Sequence, residues 1–137
     1  MTEPSQAGGR SLADDFNWLD DHVVMWSVPS DGFAAEYIHL MFEEISEALT
    51  SHTNVGLLVD VRATDVPNSA GRAEIIAGVN TLSDMVCCVA LIVGQSVAQK
   101  FIVQVSRFLM TGAPVPFRIF TDMDQAKTWI RTQRESD

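Results

Sequence analysis

The chain has 137 residues, which is enough for one domain with a single hydrophobic core. Hydrophobic residues make up 47% and charged residues 20%, a balance that excludes a disordered chain. The formal net charge is −9 and the nine Lys and Arg residues are scattered, so nucleic acid and anionic lipid are poor partners. No apolar run reaches the roughly 20 residues of a membrane span, and none resembles a secretory signal. We therefore expect a cytoplasmic protein.

The N-terminal part predicts a tail followed by a hairpin. Residues 1–13 are rich in Pro, Gly, Ser and Gln, which is typical of a flexible tail, and we expect a single domain over 14–137. Two short strands, 16–19 and 22–28, predict an antiparallel pair. Alternation in the second strand predicts one face with Val23 and Met25 and another with Val24, Trp26 and Val28.

The next segment, 33–51, predicts an amphipathic helix because apolar residues recur at spacings of three and four. The inward residues are Phe33, Tyr37, Ile38, Met41, Phe42, Ile45, Ala48 and Leu49. The outward face carries Glu36, Glu43, Glu44 and Glu47. That acidic face is either a partner surface or a solvated face.

Two apolar runs, 55–61 and 87–93, predict strands, the second covered on both faces. A helix is predicted between them, over 70–82. Its inward residues are expected to be Ala73, Ile76 and Ala77, together with Val79 and Leu82. Gly71 and Gly78 each weaken this helix by about 1 kcal/mol relative to Ala.

Cys87 and Cys88 are adjacent in the second apolar run. Neighbours on a strand point to opposite faces, so we expect two core residues and no disulfide. No Cys or His nearby in the sequence supports a metal site.

The C-terminal third predicts a helix, a strand and a helix. Ser96 and Gln99 form a capping box that opens a helix ending at Gly112. A strand at 117–120 follows, and a second capping box, Thr121 with Asp124, opens the last helix. The inward residues of that helix are Met123, Ala126, Trp129 and Ile130.

The resulting order, β-β-α-β-α-β-α-β-α, predicts an α/β fold with a five-stranded, mixed and mostly parallel sheet and packed helices. The sequence contains no internal repeat and no sign of a second domain. The hairpin or the strand near 115–120 would be a sheet edge, so pairing with a second copy as a homodimer is an open alternative.

One hydroxyl, Ser69, stands where an open α/β sheet presents ligands and partners, because the strand ends at Asp60 and a helix opens near Ala70. Ser69 is either a helix cap or a phosphorylation site. A phosphate there would add about −1.5 to −2 charges, and Arg72 lies within one turn of it. Asp60 is either a functional carboxylate or a residue that binds loop amides.

These residues resemble the signature of the STAS domain, the sulfate transporter and anti-sigma factor antagonist family. In that family a strand ends in Asp, and nine residues later a phosphorylatable Ser follows in an Asp-Ser-Ser/Ala-Gly turn; here the turn reads Asn68-Ser69-Ala70-Gly71. The segments CCVALIVG and FRIFTDMDQAKTWI are similar to the SpoIIAA-like branch. The resemblance covers about residues 14–132. Asn68 replaces the usual Asp, and Arg72 replaces the usual Leu.

The resemblance implies a STAS-like (SpoIIAA-like) fold and a non-catalytic regulatory domain of the anti-sigma-factor-antagonist type. It implies binding of a protein partner, such as a kinase-type anti-sigma regulator, and control by phosphorylation of Ser69. The expected partner-binding residues are Asp60, Asp65, Asn68, Ser69, Gly71 and Arg72. Asp65 has a second interpretation as a solvated turn residue.

Two other functions are weighed against this one. No catalytic motif appears in the sequence, so we expect no enzyme activity, no cofactor and no metal. The SpoIIAA-like branch also resembles SEC14-like lipid-binding domains, which implies a carrier of a small apolar ligand or lipid. The residues that would line or fill its cavity are Phe33, Phe42, Phe101 and Phe108.

Overall fold

The computed structural model describes residues 15–29, 35–52, 54–63, 69–96, 99–100, 102–104, 107 and 115–135. Its strands are β1 (Phe16–Asp20), β2 (Val23–Ser27), β3 (Val55–Asp60), β4 (Val86–Ile92) and β5 (Phe117–Phe120). Its helices are α1 (Ala35–Ala48), α2 (Ser69–Leu82), α3 (described residues 99–100, 102–104 and 107) and α4 (Met123–Glu135). The predicted order of elements is confirmed. The predicted tail, 1–13, lies outside the described residues.

The strands form one sheet in the order β1-β2-β3-β4-β5. β1 pairs with β2 antiparallel, and every later pair is parallel. The hairpin turn between β1 and β2 is closed by the Asp20 carboxylate, whose Oδ1 accepts the His22 N–H at 2.8 Å. The sheet is therefore mixed and mostly parallel, as the sequence predicts.

The sheet has a separate hydrophobic core on each face. On one face, α1 contributes Ile38, Met41, Phe42 and Ile45 to a core with Val24, Trp26, Leu57 and Val59. On the other face, Ala126 and Ile130 of α4 pack against Val23, Leu58, Cys88 and Ile92. The predicted alternation of the hairpin strand and the predicted inward faces of α1 and α4 are confirmed.

The predicted inward face of α2 is wrong for Ala73, Ile76 and Ala77, and it is confirmed for Val79 and Leu82, which pack in the core. Ala73 and Ala77 are exposed, and 46% of Ile76 is exposed, whereas Gly71, Gly78 and Leu82 are buried. The inward side carries Ile75, Val79 and Leu82, but its other two positions are Gly71 and Gly78, which have no apolar side chain to mark the face. The alanines and Ile76 on the other side therefore shifted the predicted face.

Gly78 is buried because α1 and α2 approach each other closely there. A Cβ atom built on Gly78 would overlap the Phe42 ring of α1. The same ring meets Trp26 edge to face, with centroids 5.4 Å apart. The missing side chain at position 78 thus lets an aromatic ring sit between two helices and the sheet.

The cap of α4 differs by one residue from the prediction. Asp122, and not Thr121, is the N-cap, because its Oδ1 accepts the Gln125 N–H at 3.0 Å. The helix accordingly begins at Met123. At the start of α3 the predicted cap is confirmed, since Ser96 Oγ accepts the Gln99 N–H at 3.1 Å.

The prediction that Cys87 and Cys88 point to opposite faces is also wrong. The register of β3 with β4 passes from Val55–Val86 to Gly56–Cys88, so β4 carries one extra residue at this point. Cys88 is buried in the α4-side core, and Cys87 packs against the same core. The two cysteines are not joined in a disulfide.

The described helices are all too short or too polar to cross a bilayer.

Gly78→Ala is expected to lower the free energy of unfolding by about 1–2 kcal/mol. Overpacking against a ring costs up to about 3 kcal/mol, while the gain in helix propensity is about 1 kcal/mol. Urea unfolding measures the difference. The matched control is Asn80→Ala on the exposed side of α2, which changes propensity alone and is expected to leave stability unchanged or slightly higher. A stabilising Gly78→Ala would contradict the close approach of the helices.

Candidate functional site

Asp60 is the last residue of β3, at the carboxyl edge of the sheet. Its carboxylate accepts three hydrogen bonds from Arg62: from the backbone N–H (3.0 Å) and Nε (3.0 Å) to Oδ1, and from Nη2 (2.8 Å) to Oδ2. The interpretation of Asp60 as a residue that binds a loop amide is confirmed. Asp60 thereby fixes the first turn of the chain beyond β3.

Burial and pairing act on Asp60 in opposite directions. Burial of the carboxyl raises its pKa, but the hydrogen bonds and charge of Arg62 outweigh burial, so the pKa of Asp60 lies below its usual value. The same hydrogen bonds raise the pKa of Arg62. The Arg62 side chain is 48% exposed, so water screens the pair and its stabilisation is modest.

The buried side chain of Gln99 makes a second set of hydrogen bonds at this edge. Its Nε2 donates to the Val61 carbonyl at 2.9 Å, and its Oε1 accepts the Gly94 N–H at 2.8 Å. One side-chain amide therefore joins the residues that follow β3 and β4. The sequence predicted only the cap of α3 at this position, because a contact between residues 38 positions apart leaves no local pattern.

A shallow cavity of about 330 Å³ lies beside the Asp60–Arg62 pair. It is lined by Ser27, Val28, Asp60, Arg62 and Ala63, which come from the ends of β2 and β3. The Val28 N–H donates to the Asp60 carbonyl at 2.9 Å and holds the two strand ends together below it. Its lining includes two polar residues, Ser27 and Arg62.

α2 begins at Ser69 and presents an uncharged surface, which we call the α2 outer face. Its exposed residues are Ala70, Ala73, Ile76, Ala77, Asn80 and Thr81. Ser69 stands four residues before Ala73 and seven before Ile76, a spacing that places positions on one side of a helix. Ile76 is the most exposed isoleucine of the described residues.

His39 ties α2 to α1 at the border of this face. Its Nδ1 lies 3.0 Å from Glu74 Oε1 on α2, and its Nε2 lies 3.3 Å from Glu43 Oε2 on α1. The hydrogen bond with Glu74 and the charge of Glu43 raise the pKa of His39. The pair His39 and Glu43 has the spacing of helix neighbours and was visible in the sequence, but the link to Glu74 depends on helix packing.

The predicted site residues differ in burial, and two of them lie outside the described residues. Asp60 is half-buried at the strand end, Gly71 is buried, and Arg72 is half-buried on α2. Asp65 and Asn68 lie outside the described residues. Arg62, which is not among the predicted site residues, is the partner of Asp60. Its position two residues after a strand-end Asp was an available signal for this turn.

The described residues contain no group of three or more His, Cys, Asp or Glu side chains that is arranged to hold a metal ion.

Comparison of the sequence with family models gives no match, and comparison with curated proteins gives none either. In structure, the chain is similar to an uncharacterized protein from the DUF3478 family with a SpoIIAA-like fold, from Shewanella loihica PV-4. The TM-score is 0.58 at 16% identity, over 84% of this chain and 90% of the other. The protein therefore has a SpoIIAA-like fold, which confirms the expected architecture.

Asp60→Asn is expected to lower the free energy of unfolding by about 1 kcal/mol at pH 7, because an amide still accepts hydrogen bonds from Arg62 but loses the charge. The pKa of Asp60 is depressed in the folded state, so its stabilisation is complete above its unfolded value of about 4. This stabilisation is lost as the pH falls through the pKa that Asp60 has in the folded state. Urea unfolding of both proteins from about pH 7 to about pH 2.5 tests this. A difference that persists at the acid end would contradict it.

Proposed function

We propose that this protein is a non-catalytic regulatory domain that binds a protein partner through the α2 outer face and the adjoining carboxyl edge of the sheet. The observation that carries the proposal is the exposure of Ile76, at 46%, within a face that has no charged residue among its exposed members. Exposed apolar side chains grouped on one surface are typical of interaction sites. The rest of the chain is strongly acidic, which makes an uncharged face unusual here.

The composition of this face suits association. Ala70, Ala73 and Ala77 are small, so a partner can approach the helix backbone closely around Ile76. Burying the exposed 46% of Ile76 contributes about 1 kcal/mol, since full burial of such a side chain contributes about 1.5–3 kcal/mol. An uncharged face also loses no ion pair when water leaves it, so desolvation opposes binding less than it would on the acidic side of α1.

Phosphorylation of Ser69 is the proposed control. As the first residue of α2, Ser69 stands where exposed backbone N–H groups and the helix dipole stabilise an anion. A phosphate would therefore be tolerated by the fold, while it adds about −1.5 to −2 charges to the uncharged face. An apolar or acidic partner would then be rejected. By its resemblance, the proposed partner is a kinase-type anti-sigma regulator, with Asp60, Asp65, Asn68, Gly71 and Arg72 as further contact residues.

The interaction role is favoured over a carrier of apolar ligands by the position of Phe42. The Phe42 ring fills the space between α1, Gly78 and Trp26, so a ligand could enter there only by displacing the ring. Phe33, Phe101 and Phe108 lie outside the described residues. Native mass spectrometry of the purified protein separates the two functions, since a co-purified lipid would support the carrier.

Ser69→Asp is expected to reduce recovery of the partner about tenfold, which corresponds to about 1.4 kcal/mol of binding free energy. Ser69→Ala is expected to retain it. The measurement is a pull-down from the native cell extract with wild type and both variants, quantified by mass spectrometry, after circular dichroism has shown that all three fold. Equal recovery by the three proteins would make Ser69 a helix cap and remove the switch.

Ile76→Asp is expected to abolish the same recovery with little change in stability, because the side chain is exposed. The matched control is Leu40→Asp on α1, which removes a large apolar side chain of similar exposure, 39%, outside the α2 outer face. We expect Leu40→Asp to bind like wild type. Loss with both variants, or with neither, would place the partner on another surface.

A further inference from the structure

Cys87 and Cys88 form a pair of thiols that the proposed function does not use. Their Sγ atoms lie 3.5 Å apart, although side chains of neighbouring strand residues normally point to opposite faces. The extra residue in β4 at this point is a β-bulge, which turns both side chains toward α4. The proximity of the two sulfurs is therefore a consequence of the backbone.

The two thiols differ in access to solvent. Cys88 is fully buried in the core beside Leu58 and Ile130, whereas Cys87 is half-buried at the rim of the same core. A reagent would approach from the side of Cys87 and complete its second bond at Cys88. The apolar surroundings of Cys88 would keep water away from that second bond.

The geometry is unfavourable for a disulfide between the two residues. Their Cα atoms are about 3.8 Å apart across one peptide bond, while disulfides usually span about 4.4–6.8 Å. A disulfide here would be strained and easily reduced.

One atom bound to both sulfurs fits better. With bonds of about 2.3 Å, a typical metal–thiolate length, a spacing of 3.5 Å corresponds to an angle of about 100° at that atom. Zinc would require further ligands, and the described residues provide no three-ligand group. The site suits a pyramidal centre with three bonds, two to the protein and one to its own substituent.

We propose that Cys87 and Cys88 are a chelating site for a trivalent thiophilic centre of the monosubstituted arsenic(III) class. With phenylarsine oxide, the arsenic–oxygen bonds break and two arsenic–sulfur bonds form. Both thiol protons leave with the oxygen as one water molecule. Arsenic remains trivalent, so the step needs no oxidant or reductant.

The test is intact-mass spectrometry of the folded full chain after treatment with phenylarsine oxide, in the presence of excess glutathione. We expect one phenylarsenic group per chain, with loss of one water, retained against glutathione and removed by the dithiol 2,3-dimercaptopropanol. Cys87→Ala and Cys88→Ala are each expected to lose the retained adduct, since one sulfur alone exchanges with the monothiol. Circular dichroism reports whether each variant folds.

Cys87→Ala alone suffices if the buried position does not tolerate substitution, because Cys87 is only half-buried. Three results would overturn the proposal: no adduct on the folded wild type, an adduct on Cys87→Ala that resists glutathione as well as that of wild type, or an adduct that forms only after unfolding in urea. The last result would mean that the core around Cys88 keeps the reagent from reaching its sulfur in the folded protein.

Discussion

Burial of β3 on both faces is the constraint on which the rest of the fold depends. Five of its six residues are buried, so the strand requires a helical layer on each side. α1 and α2 supply one layer and α4 supplies the other. Gly56 makes the second layer possible, because a Cβ at this position would overlap Ile130 of α4.

The same strand also fixes the loops at its two ends. Before β3, Asn54 adopts a positive φ of 58°, and its carbonyl accepts a hydrogen bond from Arg134 Nε of α4 at 2.9 Å. After β3, Asp60 holds Arg62 and the Val61 carbonyl is held by Gln99. The chain beyond β3 therefore starts from a fixed turn at Asp60–Arg62.

Most elements of this fold are predictable because their apolar residues mark the buried side. The hairpin alternates with period two and α1 follows a period of 3.6, and both faces are confirmed. The face of α2 is only partly predictable, since Gly71 and Gly78 interrupt its buried side and leave Ile75, Val79 and Leu82 alone to mark it. From the sequence, these glycines are expected only to lower helix propensity. In the structure, Gly78 leaves the space that the Phe42 ring occupies. Correcting the face also moves Ile76 from core to surface.

The candidate site shows a similar division between local and distant contacts. Asp60 and Ser69 are found from sequence because a strand end and a helix start mark them, and Arg62 was within reach of the same reasoning. Gln99, the link from His39 to Glu74, and the bulge at Cys87 depend on how separate segments pack. Each is set by register or helix contact, which a single sequence does not encode as a local pattern.

Asp60, at one border of the proposed docking surface, and the proposed thiol site lie at opposite ends of the same parallel strands. Asp60 lies level with Ile92 at the carboxyl edge, and Gly56 lies level with Cys88 near the amino edge. Four residues of strand separate them, which is about 13 Å. A signal between the sites would need an element with two alternative arrangements. β3 and β4 are instead buried and hydrogen-bonded along this length. We therefore expect a group bound at the cysteines to leave the α2 outer face unchanged. A buried, hydrogen-bonded part of the sheet thus separates the proposed thiol site from the proposed docking face.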